Sequence, residues 1–168
     1  YRRQRQMCIR DRHNIIRCLL KRDVTVIRVP WDYDFNAIEY DGLFISNGPG
    51  DPDTCGITVK HIREAMKKEK PIFGICMGNQ LLAKAGGANT YKLKYGHRGG
   101  NHGVYDKETK RSYITSQNHG YAVQHESIIL KGMEVTHLNL NDGTVEGMEH
   151  RDLPIFSVQF HPEACPGP

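Results

Sequence analysis

Apolar positions along the chain come in short runs separated by Gly- and Pro-rich breaks. Ile15 to Leu20 (IIRCLL) has an apolar face at helical spacing, and Val24 to Val29 (VTVIRV) reads as a strand. Gly42 to Ser46 (GLFIS) is a short apolar run, as expected of a strand buried on both faces. Val59, Ile62 and Met66 mark the inner face of a helix running to about Glu69, which Pro71 stops. Ile72 to Cys76 (IFGIC) repeats the buried-strand pattern, and a helix from about Asn79 to Ala85 ends at Gly86-Gly87. This alternation predicts an α/β fold: an open, mostly parallel (mixed) sheet with flanking helices.

The second half changes character. Thr90 to Tyr95 alternates Tyr91, Leu93 and Tyr95 with Lys92 and Lys94, the pattern of a half-exposed strand. Tyr113 to Ser116, Tyr121 to Gln124, Val135 to Leu140 and Ile155 to Phe160 read as further strands, with turns at Asn141-Asp142-Gly143 and near Gly147. No internal repeat or linker interrupts the pattern, so one domain is expected. At 168 residues and 38% hydrophobic, it can bury roughly 70% of the surface its unfolded chain exposes.

Charge changes this picture only at one end. The net charge is +4, but Tyr1 to Arg12 alone holds Arg2, Arg3, Arg5, Arg10 and Arg12 against Asp11. The excess sits there and the body is neutral, so nucleic acid is not expected as a partner. Residues 1–12 are expected to be foreign to the fold or disordered, since they cannot supply the central strand with which a doubly wound sheet opens. No apolar run approaches the ~18 residues of a membrane helix, and no apolar segment marks an export signal. The cysteines (Cys8, Cys18, Cys55, Cys76, Cys165) are odd in number and irregularly spaced. They fit a reducing cytoplasm, and none forms a CxxC pair.

Three segments could carry chemistry. In Gly74-Ile75-Cys76-Met77-Gly78-Asn79-Gln80, a cysteine ends a buried strand with glycines two before and two after. That is the spacing of a nucleophile elbow, with a helix N-terminus favouring the thiolate; a small core cysteine fits the same short pattern. Phe160-His161-Pro162-Glu163 offers a base and an orienting carboxylate, or an ordinary surface histidine after a strand. Ser46-Asn47-Gly48-Pro49-Gly50-Asp51-Pro52 can present bare backbone N–H groups to an anion, or be a plain turn. It is not a phosphate loop, since neither GxxxxGK[ST] nor GxGxxG is present. His97, His102 and His119 suggest a metal, but their spacing matches no helix face and HExxH is missing, so none is expected.

Together, GICMGNQ, SNGPGDP and FHPEA resemble the class I glutamine amidotransferases, in that order along the chain. Gly96 to His102 (GHRGGNH) and Ser116 to Val123 (SQNHGYAV) look like the small, glutaminase subunit type of carbamoyl phosphate synthetase, as does the closing EACPGP. The resemblance covers residues 13–168. It implies that Cys76 attacks the amide of L-glutamine, that His161 is its acid and base, and that Glu163 holds the imidazole. It also implies an oxyanion site at the N–H groups of Gly50 and Met77. The glutamine would be held by Gly48, Gly50, Met77, Gln80, Asn118, Gly120 and Tyr121.

By the same resemblance the chain itself needs no cofactor. ATP and Mg2+ act on the partner, a carbamoyl phosphate synthetase large subunit, which takes up the ammonia. Met77 stands where Leu is usual and Asn79 where His is most often found. The family's N-terminal domain, first strand and last helix are not matched. Another amidotransferase's glutaminase, or a binding module without turnover, are the competing readings; all three triad residues are present, which favours activity. A papain-like or α/β-hydrolase enzyme shares the elbow but predicts neither SNGPGDP nor SQNHGYAV.

Overall fold

The computed structural model describes residues 13–128 and 132–164. Its first helix, α1, covers residues 13–20. There follow β1 (Leu43–Ile45), α2 (Gly56–Met66), β2 (Ile72–Ile75) and α3 (Met77–Ala85). The second half holds β3 (Thr90–Asp106), β4 (Arg111–Val123), α4 (His125–Ile128), β5 (Met133–Asn139), β6 (Val145–His150) and β7 (Ile155–Val158). The strands make one sheet in the order β1-β2-β7-β6-β5-β3-β4.

The sheet is mixed, and its parallel part is where the expected motifs lie. β1 pairs with β2 and β2 with β7 in parallel, through Ile45↔Gly74 and Gly74↔Ser157. The remaining pairings are antiparallel. Because parallel strands all point one way, the loops after β1, β2 and β7 emerge at the same edge. Those loops carry SNGPGDP, the Cys76 elbow and the His161 turn.

Two apolar clusters hold the layers. One face of the sheet packs Ile45, Ile72, Val145, Met148 and Ile155 against Val59, Ile62 and Ala65 of α2 and Leu81 and Leu82 of α3. Ile62, Ile72, Leu82 and Ile155 are all but fully buried. The other face is thinner: Ile15 and Leu19 of α1 cover Ile75, Cys76, Phe44, Phe73 and Val158. Phe73 stacks on Phe156 at 4.5 Å and meets Phe44 edge-on at 5.3 Å.

Several expected elements are redrawn. Val24 to Val29 forms no strand: it has no ladder partner among the described residues, and Val24 and Ile27 are 44% and 63% exposed. Apolar alternation becomes a strand only where a neighbour takes up its backbone groups and one face is covered. The segments at Tyr113 and Tyr121 join into the single strand β4, and the strand at Thr90 continues to Asp106. No turn forms near Gly147, which lies inside β6; a Cβ there would come within 2.6 Å of His137 Nδ1, where β5 is bulged toward it. Residues 1–12 and the PGP segment at 166–168 lie outside the described residues.

Candidate active site

Cys76 sits between β2 and α3 at φ 56° and ψ −105°. A side-chain-bearing residue in such a conformation costs about 1–3 kcal/mol and persists only where its surroundings fix it. Here the fixing is visible. Cys76 N–H donates to Val158 O at 2.9 Å, so the elbow is sewn to β7. A Cβ on Gly74 would lie 2.7 Å from Gly78 C and O, and one on Gly78 would lie 2.1 Å from Ile45 O. Both glycines are therefore required by close approach: the strand must touch the helix start, and the helix start must touch β1.

The turn after β7 brings up the second group. His161 N–H donates to Ser116 O of β4 at 2.9 Å, and His161 Nδ1 pairs with Glu163 Oε1 at 2.9 Å. The two residues are 3% and 7% exposed. With Nδ1 committed to the carboxylate, Nε2 is the nitrogen left for Cys76. Burial opposes a charge on this ring, but hydrogen bonds with Cys76 and Glu163 and the charges of both outweigh it. The pKa of His161 is pushed up to about 10. An imidazolium beside the Cys76 sulfur, steadied by the Glu163 side chain, is thus the arrangement at neutral pH. The carboxylate end is anchored as well, since Asn14 of α1 donates to the Glu163 carbonyl.

β4 forms the facing wall. Ser116, Asn118 and Gly120 alternate onto one side and are half-buried. The Cys76 thiol faces Asn118 O at 3.9 Å. Tyr121 donates its hydroxyl to Asp51 Oδ2 at 3.0 Å, tying β4 to the loop that carries Gly48 and Gly50. Gly50 has φ +106°, the left-handed region that favours glycine. Met77 opens α3, where the first N–H groups of a helix have no partner within it. Gln80 is buried, its amide nitrogen shared between Tyr121 O at 2.8 Å and Gln159 Oε1 at 3.1 Å. All of the expected site residues thus lie on the three loops, at the start of α3 and on β4.

Sequence reasoning missed the layer behind. Gln159 and Ser157 bond to Asn79 at 3.1 and 2.9 Å; the only signal was a polar residue at alternate positions of an apolar strand. It also missed Glu146, which is wholly buried in β6. His97, His119 and Glu146 bring their ligand atoms within 4.8 Å of one another and could hold a divalent ion. The same atoms are joined by hydrogen bonds: His97 bridges Asp142 at 2.8 Å and Gln117 at 3.1 Å, and His119 bridges Gln117 and Tyr121 O, each at 2.8 Å. His102 stands beside His97, ring centroids 5.3 Å apart, outside that group.

The sequence profile of the family "Glutamine amidotransferase class-I" matches residues 11–168. The chain is 54% identical over 160 residues to a carbamoyl phosphate synthase small chain from Clostridium acetobutylicum, covering 94% of this chain and 45% of the relative. A small chain of the same name from Methanocaldococcus jannaschii is 56% identical over 158 residues, covering 92% and 44%. The multifunctional protein pyr-3 of Neurospora crassa is 55% identical over 158 residues, 94% of this chain and 9% of that one. The chain therefore spans under half the length of these relatives.

In fold, the chain superposes on the glutaminase domain of Trypanosoma brucei CTPS, solved with acivicin, at a TM-score of 0.70 and 16% identity, covering 90% and 80% of the two chains. A glutamine amidotransferase from Thermotoga maritima gives 0.61 at 22% identity, covering 84% and 61%. A cysteine forced into a left-handed elbow and a buried His–Glu pair closing on it are thus met by a match along almost the whole sequence, and the chain belongs to the class I glutamine amidotransferases.

Proposed function

We propose that this chain is the glutaminase part of a glutamine-hydrolysing carbamoyl phosphate synthetase small subunit. The observation that carries the reading is the closed set Cys76–His161–Glu163, with its His161 Nδ1–Glu163 Oε1 bond of 2.9 Å. The identity of 54% to a small chain of that name supports the choice of partner reaction.

Chemically, the Cys76 thiolate adds to the side-chain amide carbon of L-glutamine. The resulting oxyanion is placed to accept from the N–H groups of Gly50 and Met77; losing one such donor typically costs ~10²–10³ in rate. His161 gives its Nε2 proton to the departing nitrogen, and ammonia leaves a thioester on Cys76. Water then gives a proton to His161 and adds to the thioester, and Cys76 departs as thiolate with glutamate released. Glu163 keeps the imidazole in one orientation and stabilises its charge throughout.

The glutamine's amino-acid end is held by Gly48, Gly50, Gln80, Asn118, Gly120 and Tyr121. These steps are complete without a metal or organic cofactor in this chain, so EDTA is expected to leave glutamate release unchanged. ATP, Mg2+ and bicarbonate belong to the large subunit that consumes the ammonia. A cytoplasmic setting fits the free thiols of Cys18, Cys55 and Cys76. Among the described residues no helix is long and apolar enough to cross a membrane.

The test is glutamate release by the wild type and by Cys76→Ser, with and without a carbamoyl phosphate synthetase large subunit. Slow release that rises with the large subunit and vanishes in the variant is expected. A folded wild type that releases none, and whose Cys76 is not labelled by a glutamine-analogue affinity reagent, would sink the reading.

A further inference from the structure

Gln159 lies two residues before His161 and is wholly buried. Its side-chain carbonyl accepts two hydrogen bonds from the nucleophile's helix: Asn79 Nδ2 and Gln80 Nε2, each at 3.1 Å. Its backbone N–H donates to Glu146 O of β6 at 2.8 Å. Ser157, on the same side of β7, donates to Asn79 Oδ1 at 2.9 Å. Gln80 passes the chain of bonds on to Tyr121 O of β4.

The orientation of this amide is determined. Turning it over would set its NH₂ against the two amide donors of α3, so the carbonyl must face the helix. The consequence is that Gln159 Nε2 is buried with no hydrogen-bond partner. Buried polar atoms are almost always satisfied, and an exception in a native core calls for a reason. A hydrocarbon side chain of the same size would avoid the orphaned NH₂; what it would lose is the double acceptor.

We infer that Gln159 is a positioning residue for the glutaminase reaction: its carbonyl locks the first turns of α3 to the end of β7 and so sets the alignment of Cys76 with His161. This rests on the proposed Cys–His–Glu chemistry and deepens it. Cys76 immediately precedes α3, and His161 immediately follows the Gln159–Phe160 pair, so each reactive group stands within four residues of the joint. A slide or rotation of α3 against β7 would separate the thiolate from the imidazole. Ladder pairing alone leaves that motion to packing, because Val158 is the last residue of β7 and Cys76 is held to it by one backbone bond.

The experiment compares wild type, Gln159→Met and Gln159→Glu in the full chain. Methionine keeps the volume and removes the acceptor; glutamate keeps an acceptor oxygen for both amide donors. Two readouts are taken: kcat and KM for glutamine, and the rate of iodoacetamide alkylation at the Cys76 peptide between pH 5 and 9. The second needs no turnover and reports the ion pair directly.

Gln159→Met is expected to lower kcat about tenfold or more with KM within about threefold. It should also slow alkylation at pH 6 about tenfold, moving the acid limb upward as the thiolate loses its partner. Gln159→Glu is expected to restore most of both. An unchanged alkylation profile and kcat in Gln159→Met, or equal losses in the two variants, would overturn the assignment. If Gln159→Met does not fold, Asn79→Ala removes one of the two donors and is expected to show a smaller shift of the same kind; a wild-type profile there overturns it too. A wild type that releases no glutamate, but whose shifted alkylation profile is lost in Gln159→Met and restored in Gln159→Glu, would count against the glutaminase reading and leave this joint supported.

Discussion

Tyr121 and Asp51 are 70 positions apart in the chain and joined by a 3.0 Å hydrogen bond from phenol to carboxylate. Asp51 Oδ1 also accepts from Asp53 N–H at 2.9 Å, so the carboxylate is fixed from both sides. Accepting this bond, Asp51 holds the Tyr121 proton in place and raises the phenol's pKa. The bond is a strut between β4 and the glycine loop proposed to bind the oxyanion and the substrate. Tyr121→Phe removes the bond and little of the packing. It is expected to raise KM for glutamine roughly 3–10-fold while kcat changes less, because a loosened loop still reaches the oxyanion once the substrate is bound. Steady-state glutaminase kinetics check this, and a KM equal to that of the wild type would show that the strut does not act on the loop.

Gly78→Ala tests the elbow from its structural side. The added Cβ would stand 2.1 Å from the Ile45 carbonyl oxygen and 2.9 Å from its carbon. Backbone on both sides cannot yield as a flexible side chain would. Such overpacking costs about 1–3 kcal/mol or more, and relief requires α3 to move off β1. Urea unfolding should therefore give a lower midpoint, with a Cys76 alkylation rate approaching that of an ordinary thiol. A stable Gly78→Ala protein with native alkylation would mean that the helix start does not depend on this approach.

The proposed reacting groups are legible in the sequence because each is encoded locally. Gly-x-Cys-x-Gly needs only neighbours, and His161 and Glu163 are two residues apart. The parallel strands were equally plain, since β1 and β2 are buried on both sides and leave continuous apolar runs. What escaped was set by distant partners. Val24 and Ile27 have strand-like alternation without a neighbouring strand. Gly147 looks like a turn until β5 bulges against it. Gln159 and Glu146 sit among apolar neighbours just after β7 and within β6, and only the fold reveals that the first meets two amides of α3 and the second an imidazole.

That imidazole makes stability depend on pH. Hydrogen bonding to Glu146 raises the pKa of His97; burial opposes it and Asp142 adds to it, leaving the group at about 9. His119, facing the same Gln117, has its pKa lowered to about 4 by burial and carries no charge in this range. The folded value of His97 lies above the unfolded one near 6.5, so protonation favours the native state. Its stabilisation is complete below pH 6.5 and is lost as pH rises through about 9. His161 acts in the same direction, up to about 10. His97→Gln leaves the fully buried Glu146 carboxylate without its cation, a change that typically costs about 3–5 kcal/mol. The gap between the two proteins in urea unfolding is expected to be widest near pH 6 and to narrow by pH 9.5. A gap that stays constant with pH would mean that His97 is not charged in the folded protein.

Gly120 offers the converse of Gly78. A Cβ built on it meets nothing within 4 Å, and its backbone does not lie in the left-handed region. The fold therefore has no use for the missing side chain, and alanine at this position should unfold at the wild-type urea concentration or slightly above, since alanine restricts the unfolded chain more than glycine does. The proposed glutamine site runs along this stretch of β4, and Gly120 shares a side of the strand with Asn118, whose carbonyl faces the Cys76 sulfur. A methyl group there takes volume from the ligand and none from the protein, so Gly120→Ala is expected to raise KM about tenfold or more with Cys76 alkylation by small reagents unchanged. Kinetics on glutamine, set beside iodoacetamide labelling and unfolding of the same sample, separate the two kinds of glycine. If Gly120→Ala binds glutamine as well as the wild type does, the amino-acid end lies elsewhere along β4.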